Sequence, residues 1–150
     1  MFYHARNSSV PIGSTQMDYI SFGSGPKNLI MIPGLGDGLK TAKGTAIPFA
    51  MLYREYARDY KVYVFSRKNR MEMGYTTKDM ARDQKEAMDR LGITGAAVIG
   101  ISQGGMIAQH LTADYPEAVE KLVLAVTSPG QNKTLQNGVS RWIKIGRAHV

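Results

Sequence analysis

Short apolar runs bounded by turn residues recur along the chain, and amphipathic stretches lie between them. Asn28-Leu29-Ile30-Met31-Ile32 stops at Pro33-Gly34, Ala96-Ala97-Val98-Ile99 stops at Gly100, and Leu-Val-Leu-Ala-Val occupies residues 122–126. Runs of this length and composition predict buried parallel strands over residues 28–32, 96–101 and 121–127. Residues 61–66 and 17–22 read as further strands, and residues 2–5 are expected to pair with the latter. Helical spacing is clearest over residues 77–91, where Met80, Gln84, Ala87, Met88 and Leu91 share one face and Gly92 marks the end. Residues 46–56 also read as a helix, with Pro48 in its first turn. Another runs from about residue 103 to Tyr115, where Pro116 stops it.

Strand and helix therefore alternate from about residue 29 to residue 127. That pattern predicts an α/β fold with an open, mostly parallel sheet and flanking helices. The texture turns polar from Ser128-Pro129-Gly130 onward, and residues 139–144 begin a helical pattern that does not develop. Three segments follow: a core over 1–127, a segment over 128–144 read as the start of a lid, and a tail over 145–150. Ile145-Gly146-Arg147-Ala148-His149-Val150 reads as the translation of a common sequencing-adapter oligonucleotide, so it is set aside from the fold. The last apolar strand is then an exposed edge through which the chain is expected to self-associate.

Composition narrows the picture. At 150 residues, 43% apolar and 21% charged, the chain suits one soluble domain with a real core. It has no cysteine, which excludes disulfides and thiolate metal sites and is compatible with a cytoplasmic, reducing setting. No run approaches the roughly 20 apolar residues of a membrane span, and the N-terminus lacks the apolar core of a signal peptide. A net charge of +7 raises nucleic-acid binding. The densest basic cluster, residues 61–70, lies at a strand end without an aromatic ladder, so it reads as a solvated loop. No nucleic-acid or membrane partner is expected.

The candidate chemistry lies at the ends of two strands. Gly100-Ile101-Ser102-Gln103-Gly104-Gly105 places a serine between a strand and a helix in the pattern G-x-S-x-G. Such a turn strains the serine backbone and points its hydroxyl away from the sheet, as a nucleophile requires. Gly100 and Gly104 let strand and helix approach on either side of it. Pro33-Gly34-Leu35-Gly36-Asp37-Gly38 follows the strand over 28–32. Its Leu35 or Gly36 N–H, with the Gln103 N–H, could hold a developing oxyanion. The Gln103 side chain itself reads equally well as a surface amide.

These features in this order resemble the α/β-hydrolase superfamily. The resemblance runs from about residue 19 to residue 128, roughly the first half of a typical member. Gly100 to Gly105 matches the nucleophile elbow. Pro33-Gly34-Leu35-Gly36 stands where members often carry His-Gly before the oxyanion residue, with proline here replacing histidine. Residues 66–74 match the Asp-x-Arg-Gly-x-Gly loop in part, and residues 83–93 resemble the helix ahead of the elbow. The resemblance implies a hydrolase of ester, thioester or lactone bonds in a small-molecule acyl substrate, needing no cofactor. Ser102 would be the nucleophile, and the Leu35 and Gln103 N–H groups the oxyanion hole. It also implies an acid and a histidine after later strands.

No such histidine is evident here. His4 lies near the N-terminus and His149 in the tail. His110 is eight residues past Ser102 on one helix, roughly 12 Å away at about 1.5 Å per residue, against the roughly 3 Å of a proton transfer. The 150-residue chain is therefore expected to be nearly inactive. Two other classes stay open. In a dinucleotide-binding oxidoreductase, Gly34-x-Gly36 would turn beneath the cofactor and Ser66-Arg67-Lys68 would meet an NADP 2′-phosphate, although Leu39 stands in place of the third glycine. A non-catalytic binding protein on the same fold is the other. A phosphate-binding P-loop is excluded, because Leu39 replaces the glycine before Lys40 and no strand ends in a magnesium-holding acid.

Overall fold

The computed structural model describes residues 2–38, 41–130 and 132–147. Six strands among these residues form one sheet: β1 (Arg6–Ile12), β2 (Thr15–Phe22), β3 (Lys27–Ile32), β4 (Tyr60–Lys68), β5 (Ala96–Ile101) and β6 (Val119–Ala125). Their spatial order is β1-β2-β4-β3-β5-β6. The first two pairings, β1 with β2 and β2 with β4, are antiparallel, whereas β4, β3, β5 and β6 run parallel. The helices are α1 (Leu35–Gly38), α2 (Ala46–Leu52), α3 (Thr77–Arg90), α4 (Gln103–Asp114) and α5 (Lys133–Arg147).

The order of strands creates a crevice. After β3 the chain crosses to β4 on one side, and after β4 it returns to β5 on the other. Parallel α/β sheets bind ligands beyond the carboxyl ends of strands at such a reversal. Two packed layers hold it. On one face Ile30, Ile32, Phe65 and Val98 pack with Met80 and Met88 of α3 and Ile107 and Leu111 of α4. On the other, Leu29, Met31, Val62 and Val64 pack with Ala46 and Ala50 of α2. Alternate residues of β3 thus enter both layers, which explains its unbroken apolar run. Helix α3 starts at a capping box in which Thr76 and Asp79 satisfy each other's backbone N–H groups.

Several boundaries differ from the sequence expectation. Residues 2–5 form no strand: Tyr3 and His4 turn through positive φ, and the partner of β2 is Arg6–Ile12. That strand is polar and contains Pro11, which an edge tolerates because one row of its N–H groups faces no partner. Only Val10 and Ile12 bury side chains in the core. The helix expected over 46–56 ends at Leu52, and Arg54–Tyr56 forms a separate 3-10 turn. The last strand starts two residues early, at Val119. The polar tail is helical from Lys133, because Asn132 caps it: its Oδ1 accepts from Leu135 N at 2.9 Å. Of the tail set aside above, residues 148–150 lie outside the described residues.

Asp18 anchors the chain returning from α1. Although buried, it accepts from Ser9 Oγ at 2.6 Å and Thr41 Oγ1 at 2.8 Å, with Lys43 Nζ at 3.9 Å. At the centre, helix α4 lies directly on strand backbone. A Cβ at Gly104 would overlap the Ile32 carbonyl, and one at Gly100 would come 2.7 Å from the Gly104 oxygen. Gly104→Ala is therefore expected to lower stability by about 1–3 kcal/mol, measured as a shifted midpoint in a urea titration. An unchanged midpoint would show that α4 can lift off β3 without cost.

Candidate active site

Ser102 stands at the junction of β5 and α4 with φ 54° and ψ −121°. A residue with a Cβ holds that conformation only when its surroundings impose it, at a cost of about 1–3 kcal/mol. Here they do so from both sides. Ser102 N donates to Ala125 O of β6 at 3.0 Å, and Ser102 O accepts from Gly105 N at 2.9 Å and Thr127 Oγ1 at 2.7 Å. Gly105 presses against that threonine, since a Cβ there would lie 2.5 Å from Thr127 Oγ1. Ser102 is exposed, at the carboxyl end of β5.

The loop after β3 meets the serine. A Cβ at Gly34 would lie 3.2 Å from Ser102 Cβ and 3.7 Å from its Oγ, so the Gly34 α-carbon faces the hydroxyl. Leu35 follows as the first residue of α1, its side chain largely exposed, with Gly36 within the same turn. Gln103 is the first residue of α4. First-turn N–H groups have no acceptor within their own helix. The structure places Gly34 against Ser102, Gly100 against Gly104, and Gln103 directly after the serine, while Leu35 and Gly36 follow Gly34 in the chain.

The Gln103 side chain is not a plain surface amide. Its Oε1 accepts from Arg67 Nη2 at 3.2 Å, and the same nitrogen donates to Pro33 O at 2.7 Å. Arg67 is only 5% exposed. Strand β4 runs on to Lys68 with Ser66 and Arg67 buried, so the basic cluster is not a solvated loop throughout. Arg67 is thus engaged by protein groups on two segments. Sequence reasoning missed this role, because a basic residue at a strand end reads as solvated. Beside it, Ser66 Oγ accepts from Ala42 N at 2.8 Å, and Gln84 Nε2 donates to Ser66 O at 3.2 Å.

The loop leaving β4 is fixed by a polar cluster. Tyr75 hydroxyl lies 2.8 Å from both oxygens of Asp83, and Lys68 Nζ sits 3.9 Å above the Tyr75 ring. Burial pushes the Asp83 carboxyl above its ordinary range, against the hydrogen bond from Tyr75. Lys68 is raised chiefly by its interaction with the Tyr75 hydroxyl. Asp83 is thereby engaged in anchoring the loop.

His110 is half-buried on α4, His4 is exposed, and His149 lies outside the described residues. A cavity of about 500 Å³ containing His4, Arg6 and Lys61 opens at the opposite edge of the sheet from Ser102. Among the described residues no group of three or more His, Asp or Glu could hold a metal ion, and no helix is long and apolar enough to cross a membrane.

Comparison with known proteins agrees with this architecture. Residues 27–144 match the family model described as the alpha/beta hydrolase fold. A homoserine O-acetyltransferase of Thermus thermophilus is 49% identical over 49 residues, covering 33% of this chain and 13% of that protein. Epoxide hydrolase 1 of Caenorhabditis elegans is 27% identical over 123 residues, covering 81% of this chain and 30% of that protein. The crystal structure of a hydrolase from Pseudomonas aeruginosa PA01 superposes with a TM-score of 0.69 at 23% identity, covering 87% of this chain and 49% of that one. The chain thus spans less than a third of these two curated relatives and about half of this solved structure. Its matched residues, sheet order and strained serine turn place it in one family: the chain belongs to the α/β-hydrolase fold.

Proposed function

We propose that the whole protein is a serine hydrolase that cleaves an ester, thioester or lactone through Ser102. The observation that carries this reading is the Ser102 backbone, held at φ 54° with Gly34 facing its hydroxyl. Ser102 Oγ attacks the acyl carbon and gives its proton to a histidine base. The carbonyl oxygen gains charge between the Leu35 and Gln103 N–H groups. The base returns its proton to the departing alcohol or thiolate, leaving an acyl-serine. Water, deprotonated by the same base, then attacks the acyl carbon, and the base returns that proton to Ser102 Oγ as the acid departs. The base and its orienting acid belong to the part of the protein beyond β6. A lid beginning in residues 128–144 covers the crevice, and Gln109 Nε2 ties its root by donating to Ser128 O at 3.1 Å. Of the two curated relatives named above, the O-acetyltransferase moves an acyl group, as an acyl-serine attacked by a second acceptor would, whereas the epoxide hydrolase opens a ring that has no acyl carbon.

Two outcomes are expected. In the full-length protein a fluorophosphonate probe labels Ser102, and Ser102→Ala abolishes labelling and lowers ester turnover by about 10⁴-fold or more. Labelling that persists in Ser102→Ala would refute the assignment. The second concerns the 150-residue chain by itself. Strand β6 is the last of the described sheet and exposes Val123 and Leu124, with Val126 just past its end. The isolated chain self-associates through this edge, and Val123→Lys with Leu124→Lys shifts it toward monomer in light scattering. A monomeric unsubstituted chain would contradict that.

A further inference from the structure

We infer that Arg67 is a positioning residue that fixes the separation of the two oxyanion donors, an inference that rests on the serine-hydrolase reading above. The two donors come from different strand ends. Leu35 N–H follows β3, and Gln103 N–H follows β5. Both must lie about 2.7–3.1 Å from one oxygen to act together. Arg67 of β4 is attached to both segments through a single nitrogen: Nη2 donates to Pro33 O at 2.7 Å and to Gln103 Oε1 at 3.2 Å. Pro33 is two residues before Leu35, and Gln103 carries the second donor itself. A buried planar guanidinium thus joins the loop leaving β3 to the first residue of α4.

The chemistry of arginine suits this task. Its fork is rigid and permanently charged, whereas the ammonium of lysine is a rotatable point donor on a flexible stem. Arg67 is distinct from the groups that touch substrate, because its donor atom is engaged by protein on both sides. Its loss would shift the donors relative to each other. Misplacement by about 1 Å can cost on the order of 10²-fold in rate. Because oxyanion contacts form mainly in the transition state, the loss should appear in kcat rather than KM.

The test compares the full-length wild type with Arg67→Lys, Gln103→Ala, the double variant and Ser102→Ala. It reads 4-nitrophenyl acetate hydrolysis, the rate of fluorophosphonate labelling and the thermal midpoint. Labelling supplies the rate if the acetate is not turned over. Gln103→Ala removes one anchor while keeping the backbone donor and the buried cation. Arg67→Lys and Gln103→Ala should each lower kcat about 10-fold or more, with KM within about twofold. The double variant should be no worse than the more damaging single change, as expected of one shared contact. Folded variants with wild-type kcat, a loss confined to KM, or additive losses would overturn the clamp, while an inactive Ser102→Ala would leave the hydrolase reading standing. A wild type that no probe labels would end both. If Arg67→Lys does not fold, Gln103→Ala decides alone.

Discussion

Everything at the candidate site depends on a single close approach, that of helix α4 to the backbone of β3 and β5. Gly100, Gly104 and Gly105 make it possible, since side chains there would strike the Ile32 carbonyl, the α4 backbone or Thr127. The approach leaves Ser102 no relaxed conformation. Its positive φ is maintained because Ala125 O at the end of β6 and Thr127 Oγ1 just past it take up its N–H and C=O. β6 is therefore part of the support for the serine as well as part of the sheet. The local strain is offset by the two apolar layers, which hold β3 and β5 in place beneath the turn.

The crevice follows from topology and is finished by polar contacts. The reversal between β3 and β5 puts the Gly34 loop beside Ser102. Three buried polar groups then secure the loops around it. Asp18 holds the chain at Thr41, Ser66 Oγ receives Ala42 N, and Arg67 grips Pro33 and Gln103. Each contact satisfies a buried group whose isolation would cost about 1–3 kcal/mol. Backbone donors serving an oxyanion need this kind of rigid support, because they gain from alignment only if alignment exists before substrate arrives.

Much of this was legible in the chain, for identifiable reasons. β3, β5 and α3 show apolar periodicity that tertiary structure merely confirms, and the glycines around Ser102 announce a close approach. β1 was not legible, because an edge strand buries one side only and Arg6 to Ser9 with Pro11 carry little apolar signal, so the partner of β2 was expected over residues 2–5. Helix α5 was hidden by polar residues, although Asn132 was a usable cap. Arg67 was hidden by its charge. A basic residue at a strand end reads as solvated, and only three-dimensional proximity of Pro33 O and the Gln103 amide shows why it is buried. Ala125 and Thr127, which hold Ser102 N and O, are distant from it in sequence and left no local signal.

The central claim is that Ser102, Leu35 and Gln103 form one acyl-transfer site. The most direct measurement is a crystal structure of the full-length protein after phosphonylation. The account predicts a phosphorus atom bonded to Ser102 Oγ, with one phosphonyl oxygen about 2.7–3.1 Å from both the Leu35 and Gln103 nitrogens. An adduct on another residue, or a phosphonyl oxygen turned to solvent with neither nitrogen in reach, would contradict it.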